Sequence, residues 1–383
     1  MKHSLLLLSV FSLLNNSLSA QDTVYARQVI AYLSSEPCFG RGYVRQGLQK
    51  AEQFIVSELK QAKTLPLFGE SYTQPFLHPV NTFPKNCRVK INGRRLRTGY
   101  DFIPDPAACS AKGAYRLRKI DSTHYISTGA SPEIRITLKN KLTYSVARSP
   151  EDFCGLQLDR NRVREEPLRI RLNIRNKHLP EFESRNIGCV MEGRSASDSV
   201  IVFSAHYDHL GGIGRSTFFP GANDNASGVS VLLNLIRHYR AHPPAYKTVF
   251  LFFAGEEAGL VGSRFFVEHP AFDLKKIKFL LNLDLLGTGD DGIMVVNGAI
   301  HEALFDRLNA INSEQHLVKE IRKRGKAANS DHYWFTEKGV PAFFIYTMGG
   351  NTAYHDVYDV AKSLPLSDYV DVFRLITRFI ETF

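Results

Sequence analysis

The stretch Val200-Ile201-Val202-Phe203-Ser204-Ala205-His206-Tyr207-Asp208-His209 runs from an apolar strand straight into polar chemistry. Four branched or aromatic residues in a row leave no solvated face. A strand of that kind is covered on both sides, as in a largely parallel sheet flanked by helices. Three later segments repeat the pattern. Thr248-Val249-Phe250-Leu251-Phe252-Phe253 leads into Ala254-Gly255-Glu256-Glu257. Phe279-Leu280-Leu281-Asn282-Leu283 stops at Asp284. Ala342-Phe343-Phe344-Ile345-Tyr346 is followed, beyond a Gly-Gly loop, by Tyr354-His355-Asp356. Amphipathic segments lie between or after these strands, at 229–239, 260–268, 302–311 and 369–380. Strand and helix alternate, which predicts an α/β sandwich.

The strand ends carry the chemistry. Four buried strands deliver His206, the Glu256-Glu257 pair, Asp284 and His355 to one edge. Open α/β sheets bind their ligands beyond the carboxyl ends of the strands. Imidazole and carboxylate without thiolate suit zinc and related divalent ions. A fifth donor, Asp224, sits in the small-residue turn Gly221-Ala222-Asn223-Asp224-Asn225-Ala226-Ser227-Gly228, just before a helix. One zinc needs three protein ligands and an open position. Five ligands serve two zincs if one carboxylate bridges, and Asp224 is placed to be that bridge. Glu256 and Glu257 are adjacent outside a helix, so they point in different directions. One can ligate while the other accepts a proton. Asp208, two residues after His206, can accept the other imidazole N–H and fix the tautomer.

Taken singly these features are weak. A His-x-Asp is usually an ordinary strand end, and paired Glu usually opens a solvated helix. The glycine-rich turn has neither a P-loop Lys nor a G-x-G-x-x-G spacing. Their ordered occurrence at successive strand ends is what argues for a site.

The rest of the chain differs in character. Residues 24–62 carry two helical stripes, Val24, Val29, Ile30, Tyr32, Leu33 and Leu48, Phe54, Ile55, Leu59, broken by Cys38-Phe39-Gly40-Arg41-Gly42. Residues 70–183 show short alternating runs such as Leu168-Arg169-Ile170-Arg171-Leu172-Asn173-Ile174, which predict strands with one solvated face. We read 21–69 as an N-terminal helical part, 70–183 as a β-rich insert and 184–383 as the core bearing the site. At the start, Lys2 and His3 precede an apolar run over 5–14 that is too short to span a bilayer. With the small residue Ala20 it reads as a cleaved export leader over 1–20. The expected location is periplasmic or secreted, with no stable membrane insertion afterwards.

The 383 residues carry a formal charge of +10. The basic residues look scattered, apart from a cluster at Lys319, Arg322, Lys323, Arg324 and Lys326 that reads as a solvated face. No nucleic-acid-binding motif accompanies them. The five cysteines match no zinc spacing. In an oxidising compartment some could pair, but an odd count leaves at least one over.

His206-Tyr207-Asp208, Gly221 to Gly228, Glu256 to Ser263, Asn282-Leu283-Asp284 and Tyr354-His355 together resemble the motifs of the secreted bacterial di-zinc aminopeptidases. That zinc exopeptidase superfamily also holds glutamate carboxypeptidases and glutaminyl cyclases. The resemblance covers residues 186–383, with a weaker echo in 24–62. It implies a phosphorylase-type three-layer α/β sandwich with a mostly parallel central sheet. It implies two zinc ions per chain, one on His206, Asp224 and Asp284, the other on Asp224, Glu257 and His355. Glu256 would be the general base, and Tyr354 would hydrogen-bond the scissile carbonyl oxygen. Asp331 and His332 would support the site, and the Asp224–Asn225 peptide would be cis. The insert would be a protease-associated type of β module. The implied reaction is hydrolysis of the N-terminal bond of peptides with a free amine. The rival readings are a single-zinc glutaminyl cyclase, a carboxypeptidase with an Arg clamp (Arg215 or Arg324), and a non-catalytic receptor-like module.

Overall fold

A computed structural model describes residues 15–85 and 87–383. The expected leader run at 5–14 lies outside the described residues. The large sheet has nine strands: β1 (Leu65–Pro66), β2 (Thr73–Thr82), β3 (Lys177–Met191), β4 (Val200–His206), β5 (Lys247–Phe253), β6 (Ile277–Leu283), β7 (Ile293–Val296), β8 (Ile321–Lys323) and β9 (Ala342–Thr347). Their spatial order is β1-β3-β5-β4-β6-β9-β7-β8, with β2 pairing on β3. The four central strands, β5, β4, β6 and β9, are mutually parallel. The flanks β3 and β7 join them antiparallel, and β2 in turn pairs antiparallel with β3. All seven residues of β4 are buried, as the unbroken apolar run requires.

Helices cover both faces. On one side α1 (Asn15–Leu33), α2 (Gly47–Gln61), α3 (Gly228–Ala241), α5 (Glu302–Gln315) and α7 (Tyr369–Ile380) share a core with Phe203, Phe250, Leu281 and Phe343. The buried residues of α7, including Tyr369, Val372, Phe373, Ile376 and Phe379, recur at three- and four-residue spacing, the signature of one apolar face. On the other side α4 (Val261–Glu268) and α6 (His332–Glu337) place Phe266 and Phe335 against Val202, Leu251 and Leu280. The three layers are therefore helix, sheet, helix. Among the described residues no helix is long and apolar enough to cross a membrane.

The β-rich insert differs in extent from the sequence reading. Its own eight-stranded sheet spans only residues 88–174 and has a separate core around Val89, Ile103, Ile136, Leu156 and Ile170. Residues 73–82 and 177–183, expected within the insert, lie in β2 and in the first part of β3, which pair with each other and extend the large sheet instead. Half-buried alternation looks the same whichever sheet a strand joins, so the pattern alone could not place them. The insert core also takes in Leu210, Ile213, Phe219 and Val357, residues from loops of the large-sheet unit. All five cysteines are free thiols, and Cys189 is fully buried filling.

Candidate metal centre

The carboxyl ends of the parallel strands meet at one spot. His206 is the last residue of β4, Glu256 and Glu257 follow β5, Asp284 follows β6, and His355 lies in the loop after β9. The turn before α3 brings in Asp224 from the side. Nε2 of His206 lies 3.3 Å from Oδ1 of Asp224 and 3.4 Å from Oδ1 of Asp284. Nε2 of His355 lies 3.0 Å from Oδ2 of Asp224 and 3.3 Å from Oε2 of Glu257. The five side chains expected to ligate thus form two groups that share Asp224, one oxygen to each.

These spacings test the fit of a metal. Ligands at about 2.0–2.1 Å from a tetrahedral zinc sit about 3.3 Å from one another. The observed N···O separations cluster at that value. Oδ1 of Asp284, which faces Nε2 of His206, is buried and accepts no hydrogen bond. An oriented, dehydrated donor of this kind suits a cation. Electrostatics agree. Burial alone would lower His206, but the carboxylates of Asp284 and Glu256 outweigh it and hold the ring well above its ordinary value. Burial likewise opposes His355, which Glu257 and Asp224 nevertheless raise to about 9. Asp224 is penalised by burial, yet His209, His206 and His355 hold it well below the usual carboxylate range.

Glu256 stands beside this set. Its carboxylate comes within 4.8 Å of the donor atoms of His206 and Asp284. Burial pushes it well above the normal range; His206 opposes this, and Glu257, Asp331 and Asp284 reinforce it. The Tyr354 ring stacks on His355 at 3.9 Å and is 44% exposed, so it forms the outer lip. Asp331 is buried and raised to about 7, first by burial. His332 is pushed by burial down to about 4 and packs on Phe344. Arg324, considered above as a carboxylate clamp, donates to the Tyr346 hydroxyl at an exposed position.

Asp208 acts differently from the sequence reading. Nδ1 of His206 lies 3.2 Å from the main-chain oxygen of Asp208 and 3.8 Å from its carboxylate. The carboxylate instead accepts the amides of Glu256 and Glu257, at 3.2 and 3.4 Å, and the Tyr43 hydroxyl. Asp208 therefore shapes the Glu256-Glu257 turn, while its backbone orients His206. A dipeptide spacing cannot tell a residue's carbonyl from its carboxylate.

Four more residues build the site without having been singled out in the sequence. Arg41, fully buried, donates to the carbonyls of Leu33, Tyr207, Pro220, Gly221 and Asp224. It ties the Gly221–Asp224 turn to the end of β4. Asp359 accepts the amides of Asn223 and Asp224 from the other side. The Asp224–Asn225 peptide in that turn is cis. His209, also fully buried, sets Nδ1 2.7 Å from Oε1 of Glu257. A Cβ on Gly221, which has φ +60°, would fall 2.4 Å from the His209 ring, so only glycine leaves room for it. Tyr144, from the insert, offers its carbonyl to His355 Nδ1 at 3.0 Å. Of these, His209 alone had a visible signal, its place at the end of the His206-Tyr207-Asp208 motif.

Residues 186–380 match Peptidase family M28. The chain belongs to this family. Within M28 surroundings, it is 30% identical over 161 residues to aminopeptidase YwaD of Bacillus subtilis, a match covering 41% of this chain and 34% of that protein. It is 28% identical over 209 residues to a probable leucine aminopeptidase of Arthroderma otae, covering 52% and 57%. The chain thus matches about a third to just over half the length of these curated relatives. Its fold is similar to the M28 precursor from Shewanella amazonensis, with TM-score 0.68, 12% identity and 96% and 97% of the two chains covered. It is also similar to the aminopeptidase from Aneurinibacillus sp. strain AM-1, with TM-score 0.65, 17% identity and 96% and 95% covered. These likenesses show the same M28 fold over nearly the whole chain, second sheet included.

Proposed function

We propose that this chain is a zinc-dependent aminopeptidase with two metal ions bridged by Asp224. The observation that carries the reading is the sharing of Asp224 between His206–Asp284 and His355–Glu257 at metal-like separations. Membership of M28 and the aminopeptidase names of its relatives support the reaction class. Zinc, when bound, supplies Lewis acidity that polarises a carbonyl and acidifies a water.

The chain's own residues supply the rest. Glu256, beside the His206–Asp284 group, takes the proton of the attacking water and passes it to the leaving amine. Tyr354, stacked on His355 at the rim, would hydrogen-bond the scissile carbonyl oxygen. Glu257 and Asp284 hold the metals, oriented by His209 and by Ser330, whose hydroxyl lies 3.2 Å from Oδ2 of Asp284. In this reading the leader over 1–20 exports the enzyme, and sequencing of exported material would begin at or near Gln21.

The test is a pair of peptides differing only at the N-terminus. The free-amine peptide is cleaved after its first residue, and its N-acetylated twin is not. Equal rates on both, or release from the C-terminus alone, would contradict the proposal.

A further inference from the structure

Positive charge is unevenly shared along this chain. Residues 88–174 hold eighteen Lys and Arg against nine Asp and Glu, while the rest holds thirty against twenty-nine. Nearly all the net charge of +10 therefore belongs to the second sheet. It is concentrated on that sheet's outer face. Along Arg88–Ile91 and Arg169–Ile174, Val89, Ile91, Ile170 and Leu172 turn inward and are buried, while Arg88, Lys90, Arg169 and Arg171 turn out. The register then sets like against like. Lys90 lies between Arg95 and Arg171, and Arg169 lies opposite Arg116. Directly opposed like charges destabilise a sheet. Several carboxylates of this unit sit in ion pairs elsewhere, such as Lys119–Glu166, Arg135–Glu133 and Arg97–Asp101. Among the described residues no ion pair reaches Arg88, Lys90, Arg95, Arg169 or Arg171, so an external anion would relieve the repulsion.

Arg88, Lys90, Arg95, Lys112 and Arg171 also line a cleft of about 600 Å³ beside Gly113 and Ala114. It does not end there. Arg88 and Arg95 line a second cleft together with Arg97 and Tyr100. Tyr100 lines a third, which reaches Asn351, Thr352 and Ala353, immediately before Tyr354 and His355. This series of clefts, each sharing lining residues with the next, steps from the cationic face towards the loop that carries Tyr354 and His355. We propose that it is an exosite for acidic segments of long peptide substrates, lying downstream of the bond cut at the metal centre. This rests on the aminopeptidase reading above. A cleft suits an extended chain better than it suits a flat bilayer. Base stacking is poorly served on the cationic face itself, because no aromatic ring lines the cleft formed by Arg88, Lys90, Arg95, Lys112 and Arg171.

The test uses the metal-loaded protein and the triple variant Lys90→Gln, Arg95→Gln, Arg171→Gln. Fluorescent N-acetylated peptides with acidic or neutral distal halves report binding separately from cleavage. The acidic peptide should bind about tenfold more tightly than the neutral one, a preference lost in the variant and in about 1 M salt. With free-amine peptides, the variant should raise KM for the acidic peptide alone, leaving kcat and dipeptide hydrolysis unchanged. Equal affinity for the two peptides, or an unaltered preference in the variant, would overturn the exosite. Binding to anionic phospholipid vesicles without discrimination between the peptides would overturn it too, and assign the face to a membrane surface. Acidic preference with no hydrolysis of any free-amine peptide would contradict the aminopeptidase reading while leaving the anion site in place.

Discussion

The main-chain oxygen of Tyr144 lies 3.0 Å from Nδ1 of His355, and the Tyr144 amide donates back to the His355 carbonyl at 2.9 Å. The two residues are held as a pair across the boundary between the insert and the large sheet. Tyr144 is itself fixed by stacking on Phe219 at 4.7 Å. The contact leaves Nε2 of His355 free to face Asp224 and Glu257. The insert is therefore part of the site: it orients one of the five expected ligands. Tyr144→Ala removes the stack and loosens that carbonyl. Metal affinity should fall about tenfold or more, read by competition with a coloured chelator. Unchanged affinity would show that the loop holds its place without the ring.

The two adjacent glutamates should separate cleanly. Glu256→Gln keeps the shape and removes the base, so metal content should stay while kcat falls by about 10²–10⁴. Glu257→Ala should lose metal along with activity. Elemental analysis beside steady-state kinetics checks both. Metal loss in Glu256→Gln with retention in Glu257→Ala would show the roles reversed.

Arg41 makes its five hydrogen bonds to carbonyl oxygens, all buried. Removing it leaves several acceptors without partners, each costing about 1–3 kcal/mol. Arg41→Leu should therefore lower the urea midpoint of the metal-free protein markedly, and Arg41→Lys should recover only part, since an ammonium cannot match the planar fork. An Arg41→Leu midpoint equal to wild type would refute the bracing role.

His332 gives a pH signature. Burial holds it near 4 in the fold against about 6.5 when unfolded. A lowered folded pKa means stability that is present above 6.5 and is lost as pH falls from 6.5 towards 4. The full contribution is about 3 kcal/mol. In chelator-treated protein, His332→Gln should flatten the loss of stability over that window. An unchanged slope would show that the ring is not held neutral.

Much of this was legible in the sequence because buried parallel strands announce themselves as unbroken apolar runs. The polar residue that ends such a run is then visible by contrast, which is how His206, Glu256, Glu257 and Asp284 stood out, while His355 was marked by following the last run beyond a Gly-Gly loop. Asp224 needed the small-residue turn as its marker. Arg41 and Tyr144 gave no such signal. Arg41 looked like part of a helix break, and its role comes from carbonyls as distant as Asp224. Tyr144 works through its backbone, which side-chain identity does not encode. The ends of the insert were blurred because β2 and β3 alternate like the strands they adjoin. The cationic face was hidden too, since it arises from register between strands far apart in sequence.

The central claim is that Asp224 bridges two metal ions, and counting them tests it most directly. Zinc titrated into chelator-treated protein, followed by calorimetry and elemental analysis, should saturate at two equivalents per chain. Asp224→Asn should weaken both sites together, because each group would lose its shared oxygen. Saturation at one equivalent with full peptidase activity, or an Asp224→Asn variant that still holds two ions tightly, would contradict the account.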